Sequence, residues 1–394
     1  MKQLLLATAA SALFVGAASA EEVKLGLFLG YTGPLESTVV NMSKGAELAI
    51  KEVSDSGKLL GGMTVTGVKG DTTCVDATVA TAAAERLITS EKVAAIVGGD
   101  CSGVTMATLQ NVAKPNGIVM VSPSATSPAL STVEDDGLFF RTAPSDARQG
   151  AVVAEILKDR GVKSVAISYS NTDYGKGLAE AIEAEFKAAG GAVTISAPHE
   201  DGKGDYSAEV AALASAGGEV LVVAGYVDQG GRGIIQASLD AGAFETFYLP
   251  DGMYGESLIQ AIGPALNGSY GDVPGVEGPG IEAFKAITAK DGWDATSAFA
   301  GESYDAAALI LLSMQAGKAA TSAAVKENLM KIANGPGEPI YPGELAKALD
   351  LIAEGKPIDY VGATNVNLIG GGESAGSYRE YNIEDGKIVT VGFR

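Results

Sequence analysis

Residues 93–121, VAAIVGGDCSGVTMATLQNVAKPNGIVMV, hold the pattern on which the fold turns. A short apolar run, Val93–Val97, breaks at Gly98-Gly99-Asp100-Cys101-Ser102-Gly103. A helical stretch follows from Val104 to Lys114, and then a second apolar run, Ile118–Val121. Brief β-branched runs alternating with longer amphipathic segments are the signature of parallel strands buried on both faces and joined by helices.

The same alternation continues in both directions. Toward the N-terminus, strands are predicted at Val23–Leu29 and Met63–Val68 and a helix at Val40–Val53. A second helix, Ala77–Thr89, carries Ala80, Ala83, Ala84, Leu87 and Ile88 on one face. Toward the C-terminus, Leu138–Arg141 reads as a short crossover, after which strands recur at Lys163–Tyr169, Ala192–Ser196, Glu219–Ala224 and Thr246–Leu249. Helices at Lys176–Ala189, Ser207–Ser215 and Gly231–Ala241 separate them. Gly263–Gly280, rich in Gly and Pro, reads as a connection. Helices then follow at Ile281–Ala289, Ser303–Ala316, Ser322–Ala333 and Glu344–Ala353, and a β-rich tail covers Ser377–Asn382 and Lys387–Phe393. The expected fold class is α/β: two Rossmann-like lobes with parallel sheets flanked by helices, joined by a multi-strand hinge. The expected division is 21–142 plus about 272–343 in lobe one, and 143–271 plus about 344–394 in lobe two. A chain that crosses between lobes more than once restricts motion to opening and closing.

The first twenty residues predict export. Lys2 precedes the apolar run Leu4–Val15, and Ala18-Ser19-Ala20 is a small-x-small cleavage pattern, so a signal peptide over 1–20 is expected with cleavage after Ala20. The run is too short to span a bilayer, and no lipid-accepting Cys follows it. The two cysteines, Cys74 and Cys101, read first as a disulfide in an oxidising compartment. A formal net charge of −20 argues against nucleic acid and anionic membrane surfaces as partners.

The sequence offers no catalytic constellation. It contains no G-x-x-x-x-G-K-[ST], and no G-x-G-x-x-G after Val23–Leu29. The single His, His199, lies in Pro198-His199-Glu200-Asp201-Gly202, a loop composition, and is expected to be exposed. No metal site and no cofactor are expected. In open parallel sheets ligands bind at the C-terminal strand ends. There, Ser102 offers a hydroxyl at the start of a helix, with helix capping as its alternative role. Ser122-Pro123-Ser124-Ala125-Thr126-Ser127-Pro128 offers hydroxyls and backbone amides, so together these two strand ends suggest a carboxylate cradle. Pro250-Asp251-Gly252 by itself reads as a turn.

Seven segments in order resemble the substrate-binding proteins of branched-chain amino-acid ABC importers over essentially the whole mature chain. They are Gly30-Tyr31-Thr32-Gly33-Pro34, the Cys74…Cys101 pair, Val97–Ser102, Val121–Thr126, Phe140-Arg141-Thr142, Asp173–Gly177 and Leu249–Gly252. The resemblance implies the type I periplasmic-binding-protein fold, a monomer in the periplasm, a small-molecule ligand and an inner-membrane permease as partner. It also implies roles. Ser102 would bind the ligand carboxylate together with the backbone around Ser124, Ala125 and Thr126. Tyr174 would close over the ligand, Tyr226 would form an aromatic wall, and Asp251 would hold the ammonium. Two departures stand out. Leu35-Glu36-Ser37-Thr38 replaces a segment that is often aromatic, which brings Glu36 near the expected pocket, and Asp251 is shorter than the usual Glu. The implied function is a receptor for an amino acid or similar zwitterion. The alternatives are a receptor for an aromatic acid, amide or urea, a secreted α/β hydrolase, and a sensory ligand domain.

Overall fold

The computed structural model describes residues 21–394; the expected signal peptide and its cleavage site lie outside the described residues. The first lobe opens with β1 (Glu22–Leu29), α1 (Glu36–Ser56), β2 (Thr64–Asp71), α2 (Ala77–Glu85), β3 (Ala95–Gly98), α3 (Ser102–Thr108), β4 (Met120–Ser122) and β5 (Phe139–Pro144). The second lobe continues through α4 (Asp146–Asp159), β6 (Ser164–Ser170), α5 (Asp173–Ala188), β7 (Ala192–His199), α6 (Ser207–Ala216) and β8 (Val220–Ala224). It goes on with α7 (Gly230–Asp240), β9 (Phe247–Leu249), α8 (Glu256–Ile262) and β10 (Tyr270–Pro274). Then come α9 (Pro279–Thr288), α10 (Ala300–Gly317), α11 (Ser322–Ala333), β11 (Glu338–Ile340), α12 (Leu345–Ala353) and β12 (Ile358–Tyr360). The chain ends on β13 (Leu368–Ile369), β14 (Glu373–Ser374), β15 (Tyr378–Glu384) and β16 (Lys387–Phe393).

Two seven-stranded sheets organise these elements, in the orders β13-β14-β5-β4-β3-β1-β2 and β16-β15-β10-β9-β8-β6-β7. Five consecutive parallel strands in each share one order, β2-β1-β3-β4-β5 and β7-β6-β8-β9-β10, so the lobes repeat a topology that their sequences do not display. β1 lies inside the first sheet, pairing in parallel with β2 and β3, and its Leu25, Leu27 and Phe28 are fully buried. A strand covered on both faces reads as a nearly continuous apolar run. α10 is buried on every side from Ala300 to Gln315, the environment in which an all-round apolar helix is stable.

Three sequence expectations are corrected here. Leu138–Arg141 is not a free crossover: Phe139–Pro144 forms a full strand, in parallel register with β4. Gly263–Gly280 contains β10, whose Gly271 and Asp272 read as turn residues but lie inside the second sheet. Residues 344–376 belong with the first lobe, not the second. Leu345, Ala348 and Leu349 of α12 join the core formed by Leu311 and Ile340, and β14 lies beside β5. Glu373 also pairs with the buried Arg141 at 2.6 Å, which ties this stretch to the first sheet. The chain therefore changes lobe three times, after β5, after β10 and after β14.

Candidate functional site

When strand order reverses, the connections on either side of the reversal diverge and leave a crevice at the C-terminal strand ends. In this chain the reversals fall between β1 and β3 and between β6 and β8, and the two crevices face each other. A very small cavity, almost filled by the side chains around it, lies between them. Leu35, Asp100, Cys101, Ser102, Ser124 and Phe299 line it from the first lobe. Tyr174, Tyr226, Asp251 and Gly252 line it from the second. A larger cavity, bordered by Lys203, Tyr206 and Arg232, lies on the outside of the second lobe and receives none of these strand-end residues.

On the first wall, Asp100 fixes the loops. Its buried carboxylate accepts from Gly30 N–H at 2.8 Å and Thr72 Oγ1 at 2.7 Å, joining the segments after β1, β2 and β3. The Cys74–Cys101 disulfide forms with a Cα–Cα separation of 5.1 Å and makes the same connection covalently. Gly98 adopts a φ of +135°, and a Cβ there would lie 2.1 Å from the Phe28 carbonyl, so this turn requires glycine. Ser102 does not cap α3: the N-cap position belongs to Cys101. Instead Ser102 Oγ accepts from Ser127 N–H at 3.1 Å, which leaves its own proton free to donate. The amides of Ser124 and Ala125, expected to be available, both donate to Ser122 Oγ, at 3.3 and 2.9 Å. Ala125 and Thr126 are buried just behind the cavity wall, and Thr126 Oγ1 has no hydrogen-bond partner.

On the second wall, Thr172 caps α5 by accepting from Gly175 N–H, which sets Tyr174 in the first helical turn facing the cleft. Tyr174 stacks on Tyr226, with centroids 5.2 Å apart and planes 24° apart. Its hydroxyl donates to Asp251 Oδ1 at 2.8 Å and accepts from Gly252 N–H at 3.1 Å. Burial pushes the Asp251 carboxyl up from its ordinary range, and the Tyr174 hydroxyl partly restores it. Tyr174 itself is pushed well above the usual phenol value by burial, and next by the Asp251 charge.

The lobes are closed on each other. Asp228 of the second lobe accepts from Ser37 N–H and Ser37 Oγ of the first, both at 2.9 Å, and its own N–H donates to the Pro34 carbonyl at 3.1 Å. Ser257 Oγ completes the latch, 2.8 Å from Asp228 Oδ1. A model of the periplasmic binding protein family matches residues 22–340 of this architecture. The chain belongs to the periplasmic binding protein family. Leu/Ile/Val-binding protein homolog 1 of Brucella suis is 32% identical over 267 residues, 67% of this chain and 70% of that one. Leu/Ile/Val-binding protein homolog 3 of Brucella melitensis is 29% identical over 410 aligned positions, covering 99% of both. Among solved structures, a leucine-binding protein from Thermotoga maritima shares the fold with a TM-score of 0.79 at 22% identity, over 94% of this chain and 98% of that one. A solute-binding protein from R. palustris, solved with 4-hydroxybenzoate, gives 0.75 at 19% identity, over 95% and 97%.

This binding protein thus brings Ser102, Ser124, Tyr174, Tyr226 and Asp251 to one cavity. Glu36 is not among them: it is exposed at the start of α1, and Leu35 takes the wall position. Leu35 and Phe299 were missed because an apolar residue on a cavity wall looks like any core residue. His199 is corrected too. It ends β7, is 1% exposed, and shares a 2.9 Å hydrogen bond between Nδ1 and Ser168 Oγ; burial lowers its pKa to about 4. Its polar neighbours Glu200, Asp201 and Gly202 disguised the end of a strand as a loop.

Proposed function

We propose that this binding protein is the exported receptor of an ABC importer, and that it closes its lobes around an amino acid or similar small zwitterion. The observation that carries the reading is the pairing of opposite chemistries across one small cavity. Ser102 presents a free hydroxyl proton on the first wall, and Asp251 presents a buried carboxylate on the second. A ligand carboxylate suits the former. A ligand ammonium supplies the cation that the latter needs once water is excluded. Because both ends are satisfied only when the lobes meet, ligand binding favours closure. In this reading Ser124, Ala125 and Thr126 shape the carboxylate end, and Tyr174 and Tyr226 cover the ligand. The closed pair of lobes is then presented to a permease in the inner membrane. The protein works as a periplasmic monomer, released by cleavage after Ala20, without cofactor or catalysis. The relatives named for leucine, isoleucine and valine support an apolar amino acid as ligand.

A second reading is a receptor for an aromatic acid or amide, supported by the flat Tyr174–Tyr226 stack and by the fold shared with a 4-hydroxybenzoate complex. A thermal-shift screen of the mature chain against amino acids, aromatic acids, amides and urea separates the two. A ligand at 100 times its Kd adds about 2.7 kcal/mol of stability. A shift with amino acids supports the first reading. A shift with benzoates alone, or affinity that survives Asp251→Ala, overturns it in favour of the second.

A further inference from the structure

A cavity of about 480 Å³ lies at the hinge and shares no lining residue with the cleft. It sits where the second and third changes of lobe pass side by side. There Gly275 N–H donates to the Ser377 carbonyl at 3.0 Å, and Ser377 Oγ donates to the Gly275 carbonyl at 3.2 Å. Pockets that hold small molecules typically enclose about 300–1,000 Å³. Both lobes supply its walls. Gly301 and Glu302, in the first turn of α10, and Ile281 of α9 come from the first lobe. Arg379 of β15 and Phe393 of β16 come from the second, and Val276 lies on the crossover between them. Glu302 and Arg379 are sunk in the protein, 5% and 9% exposed. Buried charges are ordinarily paired. Arg141 and Arg160 follow that rule, meeting Glu373 and Glu380 at 2.6 and 2.7 Å. Arg379 forms no ion pair among the described residues. Its guanidinium lies over the Tyr254 ring at 5.0 Å and its Nη2 donates to the Thr296 carbonyl at 2.8 Å, while its Nε has no partner. The Glu302 carboxyl meets only its own backbone N–H.

We propose that this hinge cavity is a second ligand site, one that takes a small carboxylate with an apolar body. The ligand carboxylate supplies Arg379 with the anion that the protein itself withholds. The first turn of α10 favours the same charge, because its amides have no intrahelical acceptor and the helix runs for 18 residues. Pro274, Val276, Ile281 and Phe393 offer a surface for the hydrocarbon. Glu302 tolerates an anion only while it carries its proton, and it then donates to the ligand's second oxygen. Burial raises Glu302 to about 8; the Asp305 charge on the same helix adds to the shift, while its own N–H and Arg379 oppose it. The other charged groups at the cavity, Glu277 of the crossover and Glu282 and Lys285 of α9, are exposed at its rim, where Lys285 pairs with Glu282 at 2.8 Å. The site stands whichever ligand the cleft holds.

The test uses the full mature chain and three probes, isovalerate, hexanoate and benzoate, with isoamylamine as the cationic counterpart of the first. Calorimetry at neutral pH should find at least one of the acids bound, and isovalerate bound more tightly than isoamylamine. Arg379→Met, which keeps the length of the side chain and loses its charge, should weaken that binding by roughly tenfold or more. Val276→Phe fills the cavity from a third position and should abolish binding, while Ser102→Ala, which alters the cleft, should leave it unchanged. In the parent the affinity should fall about tenfold between about pH 7 and pH 9 as Glu302 ionises, and Glu302→Gln should hold it flat. No binding of any of the three acids at millimolar concentration overturns the inference, as does tighter binding of isoamylamine than of isovalerate. Acid binding that Ser102→Ala removes and Val276→Phe spares belongs to the cleft; it overturns the inference equally and leaves the reading of the cleft as a ligand site intact.

Discussion

The latch at Asp228 gives a direct measure of how closure contributes to binding. Asp228→Ala removes two hydrogen bonds across the lobe interface, those from Ser37 N–H and Ser37 Oγ at 2.9 Å. Hydrogen bonds to a charged acceptor contribute more than the usual ~1 kcal/mol, but these lie at the exposed rim, so about 1 kcal/mol each is the appropriate size. The closed state then loses about 2 kcal/mol relative to the open one, a factor of about 30 in their ratio. Apparent affinity follows the fraction of molecules able to close, so a protein that is mostly open without ligand should bind about 30-fold more weakly. Ser37→Ala keeps the backbone N–H contact and should cost only about fivefold. Calorimetry reads the affinities, and small-angle scattering with and without ligand reads the lobe angle. Asp228 contacts no cavity residue in this arrangement, so its effect must pass through closure. Affinity within twofold of the parent would refute the reasoning.

Other consequences follow from the same contacts. Tyr174→Phe takes a donor from Asp251 and an acceptor from Gly252 N–H, both buried; urea melts should show a loss of about 1–3 kcal/mol, and calorimetry weaker binding. Reducing the disulfide, or replacing Cys74 and Cys101 with Ser, frees a loop with a sequence separation of 27 and should cost about 3–4 kcal/mol in a urea titration. Burial raises Asp272 to about 7 and Glu302 to about 8, so the folded state holds protons that the unfolded chain has already released. That stabilisation is complete below the ordinary carboxylate range and is lost as pH rises through 7 and 8. The ligand-free protein should therefore lose about 2 kcal/mol between pH 6.5 and 8, a window in which His199 stays neutral. Stability of Asp272→Asn combined with Glu302→Gln should fall by about 2 kcal/mol less than that of the parent over that range.

Much of this was legible in the sequence because apolar period and turn chemistry agree along most of the chain. Val23–Leu29 and the run from Val93 to Val121 announce buried parallel strands, and the strand-end loops carry five residues that do reach the cavity. The failures in the fold share one cause: polar residues buried through partners distant in sequence. α4 went unrecognised because its buried positions include Asp146, Gln149 and Gly150, which break the apolar period on the face that packs. β10 was hidden by Asp272, which is tolerable inside a sheet only because Tyr248 and Gln149 reach it. The return of residues 344–376 to the first lobe depends on Arg141 meeting Glu373, 232 positions away. Periodicity carries no trace of such a pairing.

The central claim is that the acidic wall exists to hold an ammonium. It is tested most directly by comparing, in one calorimetric experiment, the best-binding amino acid with its analogue carrying a hydroxyl in place of the amine. The account predicts that the analogue binds at least about 100-fold more weakly, since the buried Asp251 carboxylate would face a group with no charge to offer. Equal affinity for the two would contradict it.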